Sequence, residues 1–202
     1  MLFPLGYDCS IINLNIQIDV KRETTPFEWF KVKELQSIVN VIQRLLDNEP
    51  IEKIIYNHLK YIYIGNDRIK SLHYTFPDFI EIFKRRWDRF LNTIKDSSEV
   101  WFVRYNNKPH IKTTQTEIHS FIKVIRNINP NCVINLLLID AVLNKELFQP
   151  FEINEENVNF KQDLFTIEDI HKGKSFMIDN EVCYDKYKNM LIEMNYNFDN
   201  PS

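Results

Sequence analysis

The chain has 202 residues, 44% hydrophobic, 26% charged and 13% aromatic, with only three glycines, which excludes a disordered or collagen-like polymer and allows one substantial core. A formal net charge of -3 gives no global pull toward nucleic acid or anionic lipid, so neither a nucleic-acid nor a membrane partner is expected. Cys9, Cys132 and Cys183 are too irregularly spaced for a disulfide framework or a zinc signature.

No apolar run reaches the roughly 18 residues of a membrane span, and no basic region precedes the apolar start. The chain therefore reads as soluble, not secreted, and resident in a reducing compartment: the cytoplasm, or the host cytoplasm if its source is viral. With no Pro/Gly/Ser-rich linker, residues 1–196 read as a single α/β domain and 197–202 as a frayed tail.

Taken in chain order, "LFPLG" opens as a short strand, and "SIINLNIQI" is ambiguous between helical and strand spacing. Turn chemistry follows at Pro26 in "TTPFEWF". Val32, Leu35, Ile38, Val39, Ile42, Leu45 and Leu46 recur at intervals of three and four, predicting an amphipathic helix that Asn48 and Pro50 stop. "IEKIIYNHLK" is read as a shorter helix, and "YIYIG" and "IKSLHYTF" as strands, because aromatic and β-branched residues suit a pleated surface.

Pro77 and Asp78 open a second long helix. Its apolar face is Phe79, Ile82, Phe83, Trp87, Phe90 and Ile94, and its opposite face carries Lys84, Arg85, Arg86 and Arg89. "EVWFVRY" is a strand, and Thr114 with Glu117 forms a capping box ahead of a third helix. "CVINLLLI" has the nearly continuous apolar run of a central parallel strand, "NFKQDLFTI" adds another strand, and Tyr187, Met190, Leu191 and Met194 mark a closing helix. The alternation predicts a three-layer α/β sandwich, a mainly parallel sheet flanked by helices, with "LFPLG", "EVWFVRY" and "CVINLLLI" as neighbours.

In such a sheet ligands bind beyond the carboxyl ends of the strands. Cys9 lies four residues after Leu5, at that position, where a following helix N-terminus would favour its thiolate. The competing reading is a buried thiol acting as a small hydrophobe, which is how Cys132 and Cys183 are read. A nucleophilic thiol needs a base. His119 sits opposite the apolar stripe of its helix and reads as solvated, and His58 reads as a core residue. His73, His110 and His171 stay open as partners.

The segments "PLGYDCS", "TPFEWF" and "LHYTFPD" through "FKRRWDRFLNTIKDSSEVWFVR" together resemble a family of uncharacterised proteins of bacteria and large DNA viruses described as papain-like cysteine peptidases. They are similar to its Leu-Gly-x-x-Cys-Ser opening, its Pro-Phe-Asp-Trp element, and a His-Asp strand end followed by a helix with Arg-x-x-Arg-Phe and a Phe-Val-Arg strand. The resemblance covers the first 104 residues and implies a cysteine peptidase or related acyl hydrolase acting on a peptide or acyl substrate. It implies Cys9 as nucleophile and His73 as base, and points to Glu28, where the family commonly has Asp, as the carboxylate that orients the imidazole. Tyr74 departs from the family's usual Asp. Backbone N–H groups near Cys9 and Gly6 would stabilise an oxyanion, with Ser10 beside them.

Arg104, at the end of "WFVR", is placed to bind an anionic group at the mouth of the Cys9 site; its alternative role is an internal ion pair. Two other functions compete. Arg104 and Asp140 at strand ends could serve a nucleotide-sugar-dependent glycosyltransferase-like domain, although no Gly-x-Gly-x-x-Gly, P-loop or Asp-x-Asp pair is present and no cofactor or metal is implied. A noncatalytic interaction protein could use the same fold.

Overall fold

The computed structural model describes residues 2–6, 12, 15, 16, 18, 24–28, 30–32, 34–56, 59–64, 66–71, 78–106, 112–144, 146, 148–166 and 181–198. In chain order the elements are β1 (Leu2–Pro4), β2 (Phe30–Lys31), α1 (Leu35–Leu46), β3 (Ile51–Tyr56), β4 (Leu59–Ile64), β5 (Asp67–Ser71), α2 (Asp78–Asp96), β6 (Glu99–Asn106), α3 (Gln115–Ile128), β7 (Val133–Val142), β8 (Val158–Thr166) and α4 (Glu181–Glu193).

Strands β1, β6, β7 and β8 form a four-stranded sheet in that order, each pair parallel. Phe3 pairs with Phe102, Phe102 with Leu136, and Leu136 with Phe160, so one register runs across the sheet. Side chains alternate between faces. Phe3, Val100, Phe102, Ile134, Leu136 and Leu138 face α1, α2 and α3, where they pack with Ile38, Phe83, Phe90, Ile118, Phe121 and Ile125. Leu2, Trp101, Val103, Tyr105, Leu137 and Ile139 face the other way, under Tyr187, Met190 and Leu191 of α4 and Met194 just after it. Helices thus cover both faces, the expected three-layer sandwich.

Phe90 lies at the centre of the first layer, with ring centroids 5.3 Å from Phe3, 5.7 Å from Trp87 and 6.3 Å from Phe102. Trp87 is buried, as its place on the apolar stripe predicts. Arg86 is a correction to that stripe: it is buried rather than on the solvated face with the exposed Lys84 and Arg85. The helical arithmetic explains it, since residue 86 is three after Phe83 and four before Phe90, both buried.

A second sheet, with strand order β2-β5-β4-β3, is antiparallel throughout, and its buried Ile64 and Ile69 join the core that contains α1. It overturns the helix expected at "IEKIIYNHLK": residues 51–56 pair antiparallel with 59–64, Ile51 opposite Ile64 and Tyr56 opposite Leu59. The spacing of Ile51, Ile54 and Ile55 suits a helix or a strand. The adjacent β-branched and aromatic run supplied a strand partner, and cross-strand pairing decided the outcome.

The helix ends follow local chemistry. Asn48 adopts a left-handed φ of 58°, its N–H donates to the Leu45 carbonyl at 3.2 Å, and Glu49 N–H donates to the Arg44 carbonyl at 2.8 Å. This paired closure is a Schellman motif. Asn195, with φ 65°, closes α4 in the same way through Ile192 and Leu191. The Thr114–Glu117 capping box is present, and Glu117 reaches further: its Oε1 accepts from Gln36 N–H at 3.2 Å and caps α1, whose own N-cap Glu34 makes no side-chain cap. Among the described residues no helix is long and apolar enough to cross a membrane.

Candidate functional site at the carboxyl edge of the parallel sheet

Because β1, β6, β7 and β8 are parallel, their carboxyl ends share one edge. Strand parity decides which side chains meet there. Residues 100, 102, 104 and 106 of β6 lie on one face, as do 134, 136, 138 and 140 of β7, so Arg104, Asn106 and Asp140 extend the apolar face toward α1, α2 and α3 with polar groups.

Arg104 is 1% exposed. Its Nη1 donates to the Gly6 carbonyl at 2.9 Å and to the Leu5 carbonyl at 3.3 Å. The ladder between β1 and β6 continues through Leu5 N–H to the Val103 carbonyl at 2.8 Å, and the Arg104 guanidinium takes the next carbonyl along. The side chain is therefore inside the structure, beside Gly6 and at the expected edge, with Nη1 directed at backbone.

Asp140 is 2% exposed. Asn106 Nδ2 donates to its Oδ1 at 3.2 Å, and Gln162 Nε2 of β8 donates to its Oδ2 at 2.9 Å. Burial pushes the carboxyl pKa above its ordinary value, the hydrogen bonds from Gln162 and Asn106 and the Arg104 charge oppose that rise, and Glu117 adds to it.

The Thr25–Glu28 turn docks on the same edge. Thr25 Oγ1 donates to the Pro4 carbonyl at 2.9 Å and accepts from Phe27 N–H at 3.2 Å, while Glu28 N–H donates to the Thr25 carbonyl at 3.3 Å. Phe27 packs edge-on against Phe90 at 6.1 Å. Arg86 Nη1 donates to the Glu28 carbonyl at 3.2 Å, and Arg89 Nη1 donates to Thr24 Oγ1 at 2.7 Å. Glu28 is 1% exposed, which excludes the surface role that its polarity alone suggests.

Gly6, Glu28 and Arg104, three of the residues singled out in the sequence, are thus held at one edge by direct bonds or a docked turn. Cys9, Ser10 and His73 lie outside the described residues, as do His58, His110 and His171. His119 is exposed as expected, its Nδ1 2.5 Å from Glu155 Oε1, and Arg126 Nη1 is 2.6 Å from the other Glu155 oxygen. Cys132, just before β7 at the opposite edge, is buried, and burial followed by the nearby Glu99 carboxylate pushes its thiol up to about 11. It is a core thiol, as read from sequence. The side chain of Cys183 lies outside the description.

Sequence reasoning missed Asn106, Gln162 and Arg86. Strand parity would have found the first two and the i, i+3, i+4 rule the third. Among the described residues no group of three or more His, Cys, Asp or Glu side chains is placed to hold a metal ion. Comparison with known protein families, with curated proteins and with solved structures finds no match to this chain.

Proposed function

We propose that this protein is a cysteine-dependent acyl hydrolase of the cytoplasm, acting on a peptide or other acyl substrate, with Cys9 as nucleophile, His73 as general base and Glu28 as the carboxylate that orients the imidazole. The observation that carries the reading is the docking of the turn holding Glu28 onto the Pro4 carbonyl, with Gly6, three residues ahead of Cys9, anchored by Arg104 on the same edge. A carboxylate removed from water, on a turn docked beside β1, is the kind of group that orienting an imidazole requires, and this supports the reading.

In the reaction His73 takes the thiol proton and the Cys9 sulfur bonds to the substrate carbonyl carbon. The resulting oxyanion is met by backbone N–H groups of the Gly6–Cys9 stretch, with Ser10 adjoining. Collapse of the tetrahedral adduct breaks the bond to the leaving group, which departs with the proton from His73. Water, deprotonated by the same imidazole, then cleaves the thioester and regenerates the thiol. The nucleotide-sugar reading has less support, because Arg104 and Asp140 are both nearly fully buried with backbone or amide partners.

The test is brief iodoacetamide labelling at neutral pH with the adduct located by mass spectrometry. Cys9 is expected to label well ahead of an ordinary thiol of pKa about 8.5, with His73→Ala slowing it and Glu28→Gln slowing it less. A nitrophenyl ester should give a burst of one nitrophenolate per chain as Cys9 is acylated, lost in Cys9→Ala. Labelling of Cys9 at the ordinary rate would favour the noncatalytic interaction protein. Slowing by His110→Ala or His171→Ala instead of His73→Ala would keep the nucleophile and reassign the base.

A further inference from the structure

Arg104 stands where the pattern of its strand calls for another apolar residue: Val100 and Phe102 precede it on the same face, and among the described residues it is one of the largest fully buried side chains. A guanidinium at such a position is costly to desolvate unless its donors are used. The use is specific. β1 is only three residues long, Leu2–Pro4, and beyond it the Leu5 N–H bond to Val103 carries on the ladder, after which Arg104 Nη1 takes the Leu5 and Gly6 carbonyls. Asp140 lies on the neighbouring strand, two residues beyond Leu138, the register partner of Arg104, and on the same face. Asn106 and Gln162 hold the Asp140 carboxyl from two sides.

We propose that Arg104 is a positioning residue: its guanidinium replaces the strand ladder where β1 ends and fixes the Leu5–Gly6 backbone ahead of Cys9, with Asp140 as the counter-charge that keeps Arg104 in place. The consequence for Cys9 rests on the reading of Cys9 as nucleophile, whereas the clamp on Gly6 does not. Arginine suits the task better than lysine because its planar donors keep a fixed direction toward two successive carbonyls, while an ammonium on a flexible stem does not. On this account Arg104 acts through the backbone, in contrast to the anion-binding role its strand-end position suggested.

The experiment uses the full-length chain and the variants Arg104→Gln, Arg104→Lys and Asp140→Asn, with amide hydrogen exchange and the pH dependence of Cys9 alkylation by iodoacetamide as paired readouts. In folded Arg104→Gln, exchange over residues 2–12 should quicken about tenfold or more, the factor expected when a charge-assisted hydrogen bond is lost. Exchange over residues 133–142 should stay unchanged. The midpoint of the Cys9 alkylation profile should move toward that of an ordinary thiol, and Arg104→Lys should recover part of both effects. Where wild-type Cys9 labels ahead of an ordinary thiol, a lowered unfolding midpoint with an unmoved alkylation midpoint marks a role confined to overall stability and overturns the proposal. Unchanged exchange over residues 2–12 in Arg104→Gln also overturns it. Should Arg104→Gln fail to fold, Arg104→Lys and Asp140→Asn decide by the same criterion, since each keeps a polar side chain while weakening the clamp. If wild-type Cys9 labels no faster than an ordinary thiol but residues 2–12 still loosen in the variants, the clamp stands and the nucleophile reading falls.

Discussion

The Tyr187 hydroxyl donates to Asn15 Oδ1 at 2.6 Å with both side chains fully buried, tying α4 to a residue 172 positions earlier in the chain. Burial also pushes the phenol pKa well above its ordinary value, so the hydroxyl stays a donor across the accessible pH range. Tyr187→Phe removes the donor and leaves a buried amide oxygen without it, a loss of about 1–3 kcal/mol. Urea unfolding followed by tryptophan fluorescence should report it. Among the described residues the buried Asn15 Nδ2 has no hydrogen-bond partner, so Asn15→Leu combined with Tyr187→Phe should recover part of the loss. A double variant no more stable than Tyr187→Phe alone would contradict this account.

Asp140 makes a pH prediction whose sign follows from its surroundings. Its folded pKa is raised above the ordinary 3.8, chiefly by burial and further by Glu117, against the hydrogen bonds from Gln162 and Asn106 and the charge of Arg104. A raised carboxyl pKa favours the folded state most below the unfolded pKa, and that contribution is lost as pH rises through the folded value. Relative to Asp140→Asn, the wild type should therefore lose stability as pH rises from below about 3.9, the unfolded value, through the folded pKa. The difference between their unfolding free energies, measured across pH 3 to 7, isolates this group. A difference that is flat or of opposite slope would refute it.

Glu117 serves two helices, and the two substitutions at this cap should separate its roles. Thr114→Ala removes only the α3 cap, a loss of about 1 kcal/mol. Glu117→Ala removes the reciprocal bond to Thr114 N–H at 2.8 Å and also the acceptor for Gln36 N–H of α1. It should cost more than Thr114→Ala, with faster amide exchange at the start of α1 as well as α3. Equal losses confined to α3 would show that the contact with Gln36 contributes nothing.

Cys132 provides an internal control for thiol chemistry. With its pKa pushed up to about 11, against about 8.5 for an ordinary thiol, its thiolate is at least roughly a hundredfold scarcer at neutral pH, before any steric protection. Alkylation of Cys132 in the native protein should lag behind the same thiol in urea by at least that factor. Comparable rates in the two conditions would indicate that the strand start opens readily.

Much of the architecture was written locally. The apolar spacing of Phe79, Phe83, Phe90 and Ile94, the Thr114–Glu117 box and the unbroken apolar run of β7 are interactions within a few residues, and each formed as its pattern required. Asn48 likewise ended α1 through its own backbone conformation. The hairpin at residues 51–64 was misread because Ile51, Ile54 and Ile55 fit either period, and only pairing with the neighbouring strand could choose between them.

The candidate site was legible as residue types and order. Gly6, Glu28 and Arg104 were singled out, and the edge on which they sit follows from a parallel sheet. What sequence could not supply was the burial of Glu28, Arg86 and Arg104, because polar residues are ordinarily assigned to solvent unless a partner is known. Those partners are 58 residues from Arg86 and 98 from Arg104, so only the juxtaposition of β1, the Thr25–Glu28 turn, α2 and β6 creates them. The sequence by itself determined where helices and most strands form, through short-range periodicity and capping. The tertiary structure decided which charges the core would accept, since only distant backbone carbonyls and amides could replace the water those charges gave up.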